Sequence, residues 1–296
     1  MTEIKPAEKK RLVSDWFSNL SHQICKRFEQ LEIELPSTEK SNTKPGNFIH
    51  QKTIRKETGG EDAGGGIMSK LVNGKVFEKV GVNVSTVYGN LTPNLVEVLR
   101  KRKTIEEGKF GFWASGISLV AHLNHPKVPA VHFNTRMFAT EQETWFGGGM
   151  DLNPCIENPD DTELFHLALK ETCDKHDKTY YRLFKEWADR YFYIPHRGRA
   201  RGVGGIFFDD LDSGNWEKDF SFVMDVGKTF LSVYPGIIID RQGEYWTEED
   251  KEKQLLHRGL YTEFNLIYDR GTKFGLESGH DPDAVLMSLP PMAKWL

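Results

Sequence analysis

The sequence predicts an α+β protein, a single domain in which a large, mainly antiparallel β-sheet is flanked on both faces by α-helices. Three observations lead there. Segments rich in Val, Ile, Phe, Tyr and Thr recur from about residue 74 to residue 211 and again near 260. Between 110 and 152 several follow one another with no stretch long enough for the helical crossover that parallel pairing needs, so neighbouring strands pair antiparallel. Helical periodicities lie before, between and after them, and no Pro/Ser-rich linker or composition break divides the 296 residues.

Each element has its own signal. Over residues 8–34, Val13, Phe17, Leu20, Ile24, Phe28 and Leu31 fall at helical spacing and predict an opening amphipathic helix. "STEKSNTKPGNFIHQ" breaks that periodicity, and "GGEDAGGG" (59–66) reads as a flexible glycine-rich stretch suited to a mobile lid. These form an N-terminal part, 1–66, ahead of the main core, 67–296. Strands are expected over "GKVFEKVGVNVSTVYG", "GISLVAHL", "VPAVHFNTRMFA", "ETWFGGGMDL", "VGGIFFDDL" and "LYTEFNLIYDRG". Helices are expected over 161–192, where Leu164, Leu167, Phe184, Trp187 and Tyr191 repeat, and over "DSGNWEKDFSFVMDVGKTFLSVY". Thr247 reads as an N-cap with Gly259 closing its helix, and Asp281 precedes a proline at the first helical position.

Composition excludes several function classes. With 38% hydrophobic and 28% charged residues the chain reads as soluble, and no apolar run approaches the roughly 18 residues of a bilayer span. A net charge of -4 does not suit a chain built to coat nucleic acid. Cys25, Cys155 and Cys173 are an odd number at wide spacing, which fits a reducing compartment, and the mixed-charge N-terminus lacks a secretory or mitochondrial pattern. The expected location is the cytoplasm. No Walker A lysine follows the glycine run, no GxGxxG follows a strand, and no zinc spacing or Ser-His-Asp order is present.

The chemistry concentrates elsewhere. Alternate residues of a strand share a face, so "VHFNTRM" sets His132, Asn134 and Arg136 on one face and Val131, Phe133, Thr135 and Met137 on the other. Ser118 and His122 share a face of "GISLVAHL". Read as a strand, "LYTEFNLIYDRG" sets Glu263, Asn265 and Asp269 together and Arg270 opposite. In "WFGGGMDLNP", Gly147, Gly148 and Gly149 mark either a bulge or turn at a sheet edge, or bare backbone against a flat, bulky ligand with Asp151 at its rim. Arg197, Arg199 and Arg201 lie within five residues; they suit either a carboxylate or phosphate clamp, or a solvated basic turn paired with acids such as Asp209 and Asp210.

These residues carry a family resemblance. "VFEKVGVNVS", "VHFNTR", "WFGGGMDLNP", "HRGRARGVGGIFFDDL", "EFNLIYDRGTKFGL" and "LMSLPPMAKW" closely resemble, in order and spacing, the signature blocks of oxygen-dependent coproporphyrinogen III oxidases. The resemblance implies an antiparallel sheet flanked by helices, a homodimer, and haem biosynthesis. The implied reaction converts two propionates of coproporphyrinogen III, on rings A and B, to vinyls, with molecular oxygen as co-substrate and protoporphyrinogen IX, two carbon dioxides and hydrogen peroxide as products. It implies no organic cofactor, nucleic acid or membrane insertion. By position it marks His132 as a proton donor or acceptor, Asp151 as the acceptor facing the pyrrole N–H groups, and Arg136 as the holder of a reacting propionate. Ser118, Asn134, Thr135, the three glycines, Arg197, Arg201, Asp269, Arg270 and Gly279 become substrate-binding positions. His122, His132, His166 and His196 match histidines suggested to bind a divalent ion, which direct reaction of the ring with oxygen does not require.

The chain departs from the family pattern in four places. Arg199 stands where many members have Glu, "SGHDPD" replaces a Gly-Gly-Arg or Gly-Ser-Arg, "TGGEDAGGG" is longer than usual, and the sequence stops at Leu296, short of the customary tail. Two rival readings share the same residues: a tetrapyrrole carrier without turnover, and a metal-dependent oxygenase of another aromatic acid.

Overall fold

Pro6 occupies the first turn of helix α1 (Pro6–Glu34), and every apolar residue of the predicted periodicity, from Val13 to Leu31, is buried. The computed structural model describes residues 4–36, 44–57, 59–277 and 281–296. After α1 come strands β1 (Ile49–Lys56), β2 (Asp62–Val72) and β3 (Phe77–Asn90), helix α2 (Pro93–Arg100), then β4 (Gly111–Leu123), β5 (Ala130–Thr140) and β6 (Thr144–Asn153). Helices α3 (Pro159–His176) and α4 (Tyr180–Tyr191) lead to a small hairpin, β7 (Tyr193–Ile194) and β8 (Arg199–Ala200), and to β9 (Gly204–Leu211). Helices α5 (Trp216–Gln242), α6 (Glu248–Ile267), α7 (Arg270–Glu277) and α8 (Pro282–Val285) complete the chain, with a 3-10 turn at Leu286–Ser288.

Seven strands form one sheet in the order β1-β2-β3-β4-β5-β6-β9, with every neighbour antiparallel. Strict alternation in β5 drives the layering: Val131, Phe133, Thr135 and Met137 are buried on one face, while His132, Asn134 and Arg136 on the other are partly open. The apolar face packs on α1 and α5, where Phe28 stacks on Phe77 at 4.6 Å and Phe133 on Phe230 at 4.9 Å. Each such fully buried ring contributes about 1.5–3 kcal/mol. One end of the polar face is covered by α6 and the C-terminal segment: the His122 ring meets Tyr261, and Asn83 Nδ2 donates to the Ala284 carbonyl. Helix α4 flanks the edge strand β9.

Several sequence expectations are corrected. "LYTEFNLIYDRG" is helical, not a strand: Thr247 and Asp250 form a capping box, and the helix runs past Gly259 to Ile267. Its aromatic content suggested a strand, but Arg258, Tyr261, Phe264 and Asn265 are buried together at helical spacing. Gly259 does not end the helix; a Cβ there would lie 2.6 Å from the Lys294 carbonyl oxygen, so the glycine admits the C-terminal segment. Leu164 and Leu167 are exposed, and α3 instead buries Phe165, Leu169 and Cys173. Gly64, Gly65 and Gly66 belong to β2, Gly65 and Gly66 paired on both sides and Gly64 to β3, rather than to a flexible lid. Helix α5 is long and apolar enough to cross a membrane by length and composition, against the expectation that no segment reaches a bilayer span; half of that stretch is buried in the protein.

Candidate active site

Directly opposed residues of an antiparallel pair share a face. His132 stands opposite Asp151, Asn134 opposite Gly149 and Arg136 opposite Gly147, while Ser118 on β4 stands opposite Asn134. The pleat alone therefore assembles Ser118, His132, Asn134, Arg136 and Asp151 over neighbouring strands. Thr135 is a correction: its side chain is fully buried on the opposite face, against Gly148.

A row of polar contacts runs across this face. Asp151, 1% exposed, takes His132 Nδ1 at 2.8 Å on one oxygen, and Arg201 Nη2 at 2.7 Å with Asn153 Nδ2 at 2.8 Å on the other. Asn134 Nδ2 lies 3.0 Å from His132 Nε2, Arg136 Nη1 donates to Asn134 Oδ1 at 3.0 Å, and Arg136 Nη2 donates to Asp209 Oδ1 at 2.9 Å. These contacts determine the proton positions. Arginine can only donate, so it fixes the Asn134 amide with its oxygen toward Arg136 and its NH2 toward the imidazole. A carboxylate can only accept, so His132 carries its proton on Nδ1 and offers a lone pair at Nε2. Burial pushes the Asp151 carboxyl up, but the Arg201 charge and the His132 contact outweigh it and hold it below the ordinary range.

Asp151 thus has both oxygens engaged from within the protein. One of them holds the His132 ring through Nδ1.

The glycine run resolves position by position. A Cβ on Gly147 would sit 2.8 Å from both Arg136 Nη2 and Asp209 Oδ1, so the missing side chain makes room for that ion pair. Gly149 shares the polar face and borders Phe207, whereas Gly148 lies on the core face against Thr135 and Phe208.

The other arginines separate. Arg201 is 1% exposed inside an aromatic cage of Phe192, Tyr261 and Phe264, with its guanidinium carbon 4.4–4.6 Å from the ring centres. Arg197 binds Glu263, which also accepts from His196 and is held down to about 2, first by the Arg197 hydrogen bond, while Arg199 is exposed on the hairpin. These three do not form one clamp. Nor do they pair with Asp209 and Asp210, whose partners are Arg136 and Arg102. Asp269 caps α7 through Thr272 and accepts from the Tyr191 hydroxyl at 2.8 Å. Arg270 lies exposed over the stacked Tyr191 and Phe207 rings, with no carboxylate partner among the described residues. Gly279 and the first half of "SGHDPD" lie outside the described residues.

The four histidines named as possible metal ligands have separate partners. His122 contacts the Ser288 carbonyl, His166 the Val203 carbonyl and Tyr181 hydroxyl, and His196 Glu263 and Tyr268. Burial drives His122 down to about 3. Among the described residues no three His, Cys, Asp or Glu side chains gather as a metal-holding group. The donors present do not fit a shared ion. The sequence reading does not single out Asn153, Phe207 or Arg102, and it names Asp209 only as a partner for the 197–201 arginines; for Asp209 and Phe207 the period-two pattern of β9 is a usable signal, whereas Arg102 has none.

The sequence model of the coproporphyrinogen III oxidase family matches residues 12–296. A relative from Rickettsia rickettsii (strain Sheila Smith), named oxygen-dependent coproporphyrinogen-III oxidase, is 51% identical over 288 residues, covering 97% of this chain and 99% of its own. A relative of the same name from Rickettsia bellii (strain RML369-C) is 50% identical over 286 residues, covering 97% and 98%. With Ser118, His132, Asn134, Arg136 and Asp151 assembled on one sheet face and half-identical relatives along almost their whole length, this chain belongs to the coproporphyrinogen III oxidase family.

Proposed function

We infer that the chain catalyses the oxygen-dependent oxidative decarboxylation of coproporphyrinogen III, the activity for which its relatives are named. One observation carries the assignment of roles: the continuous row from Arg201 through Asp151, His132, Asn134 and Arg136 to Asp209 joins an oriented base to a carboxylate clamp. Arg136 holds a propionate. A pyrrole N–H replaces the Asn134 amide at His132 Nε2, and Asp151 stabilises the imidazolium as the proton arrives, as the buried aspartate of a catalytic triad does. The electron-rich ring then reduces oxygen. For each propionate, a C–H bond at the β carbon and the bond to the carboxylate break, a carbon–carbon double bond forms, and carbon dioxide leaves. Oxygen takes two electrons and two protons, the β proton and the one held on His132, and departs as hydrogen peroxide, while the pyrrole nitrogen regains a proton from solvent. Holding substrate and oxygen together against the sheet supplies much of the acceleration.

The same reading makes the protein a cytoplasmic homodimer that requires no organic cofactor and no bound metal, with no membrane insertion and no nucleic-acid partner. Three unpaired cysteines support a reducing compartment. Exposed Ile54 on the edge strand β1 and exposed Ile67 on its neighbour β2, which share one sheet face, support an association face there.

The test is chromatographic analysis of porphyrins after chelator-treated protein meets coproporphyrinogen III in air and under nitrogen. Protoporphyrin in air alone is expected. Turnover restored only by added metal points to a metal-dependent oxygenase, and tight binding without product in either arm points to a carrier.

A further inference from the structure

The last pairs of β9 are irregular: Phe146 opposes Leu211 while Gly148 opposes Phe208, so Asp209 and Asp210 together oppose Gly147. This β-bulge holds Asp210 at a φ of 56°, in the left-handed region that non-glycine residues seldom adopt. Two consecutive carboxylates thereby reach the arginines of the polar face. Asp209 accepts from Arg136 on one oxygen and from Arg102, at 3.0 Å, on the other, while Asp210 binds the same Nη1 of Arg102 at 2.5 Å.

Arg102 comes from the turn after α2, far in sequence from the strands it meets, and none of the family-like blocks contains it. Its side chain is 34% exposed beside an Arg136 that is 38% exposed. Among the described residues its hydrogen bonds use Nη1 alone, which leaves Nε and Nη2, the two-pronged edge that fits a carboxylate. Asp209 and Asp210 fix the guanidinium in place, and two carboxylates against Arg102, Arg136 and nearby Arg270 leave one positive charge in excess.

We propose that Arg102 is a further substrate-binding residue, which takes a propionate of the tetracarboxylate substrate that is not the one reacting at Arg136. The proposal rests on the function inferred above. Arg136 holds the carboxylate to be lost, Arg102 sets the rotation of the macrocycle about it, and the strained bulge is the element that keeps the two guanidinium groups side by side.

The test compares wild type, Arg102→Met, Asp210→Asn and the double variant, by turnover of coproporphyrinogen III and by fluorescence titration with the oxidised tetracarboxylate porphyrin and with a dicarboxylate porphyrin. Arg102→Met is expected to raise KM and weaken tetracarboxylate binding about tenfold, to change kcat less than threefold, and to weaken dicarboxylate binding far less. The double variant keeps the raised KM, because the lost contact is to substrate. Full recovery in the double variant overturns the proposal, since Arg102 would then only neutralise Asp210; an unchanged KM in Arg102→Met does the same. Wild-type turnover accompanying either result leaves the inferred function standing, whereas a wild type that neither binds nor turns over the substrate removes that function and the proposal with it.

Discussion

Glu32 and Asp151 are both buried carboxylates, and they differ in what satisfies them. Glu32, at the end of α1, accepts four backbone N–H groups, from Gly46 and Lys75 on one oxygen and from Val76 and Phe77 on the other, at 2.6–2.9 Å. Asp151 accepts from three side chains, His132, Arg201 and Asn153. Backbone donors cannot titrate or move independently, so the Glu32 site fastens the helix to the turn before β3 and does nothing else. Side-chain donors include an imidazole that can change its proton count, so the same burial at Asp151 is coupled to chemistry.

Substitution of each carboxylate by its amide separates the two most sharply. Asp151→Asn is expected to lower kcat about 10³-fold or more, through loss of the His132 tautomer and of imidazolium stabilisation. Glu32→Gln is expected to leave kcat of the folded fraction near wild type and to cost about 2–4 kcal/mol of stability, because an NH2 group would face two N–H donors. Steady-state kinetics beside urea denaturation measures both; equal loss of kcat in the two variants would erase the distinction.

Acid gives the next largest effect, and its sign follows from the buried histidines. Burial holds His122 at about 3 and, with Arg199 and Arg201, His257 at about 4, whereas both titrate near 6.5 when unfolded. Below pH 6.5 the unfolded chain takes up protons that the folded chain refuses. Stability is therefore highest above that pH and falls toward pH 4, at up to about 1.4 kcal/mol per pH unit for each histidine. Asp151, with its pKa lowered, adds stability that is complete above about pH 4 and is lost only below it. Urea midpoints measured from pH 7.5 to pH 5 should fall, and His122→Phe should remove about one proton from the slope; a flat profile would mean these imidazoles are hydrated.

The smallest effect is at Asp250, a carboxylate satisfied by backbone like Glu32 but at the surface, where it accepts from the Thr247 N–H. Asp250→Ala should cost about 1 kcal/mol without changing kcat. A larger loss would show that the start of α6 is coupled to the buried Arg258–Tyr261 stretch.

Much of the fold is legible in the chain. The α1 stripe and the alternation in β5 can be read directly, because burial there follows a local period. The misread stretch, "LYTEFNLIYDRG", has strand composition but helical burial, and its N-cap lies thirteen residues upstream of Leu260 at Thr247. Local content misled where distant packing decided.

At the site, the period of a strand by itself puts His132, Asn134 and Arg136 on one face, and the family-like blocks name the reaction. Only the tertiary structure decided which arginine meets which carboxylate. It buried Arg201 on Asp151, turned Arg197 to Glu263, and brought Arg102 across to Asp209. Periodicity is a property of neighbours along the chain, and the sequence states it. Charge pairing depends on register between strands, on a bulge and on helix placement, which are set when the whole chain packs.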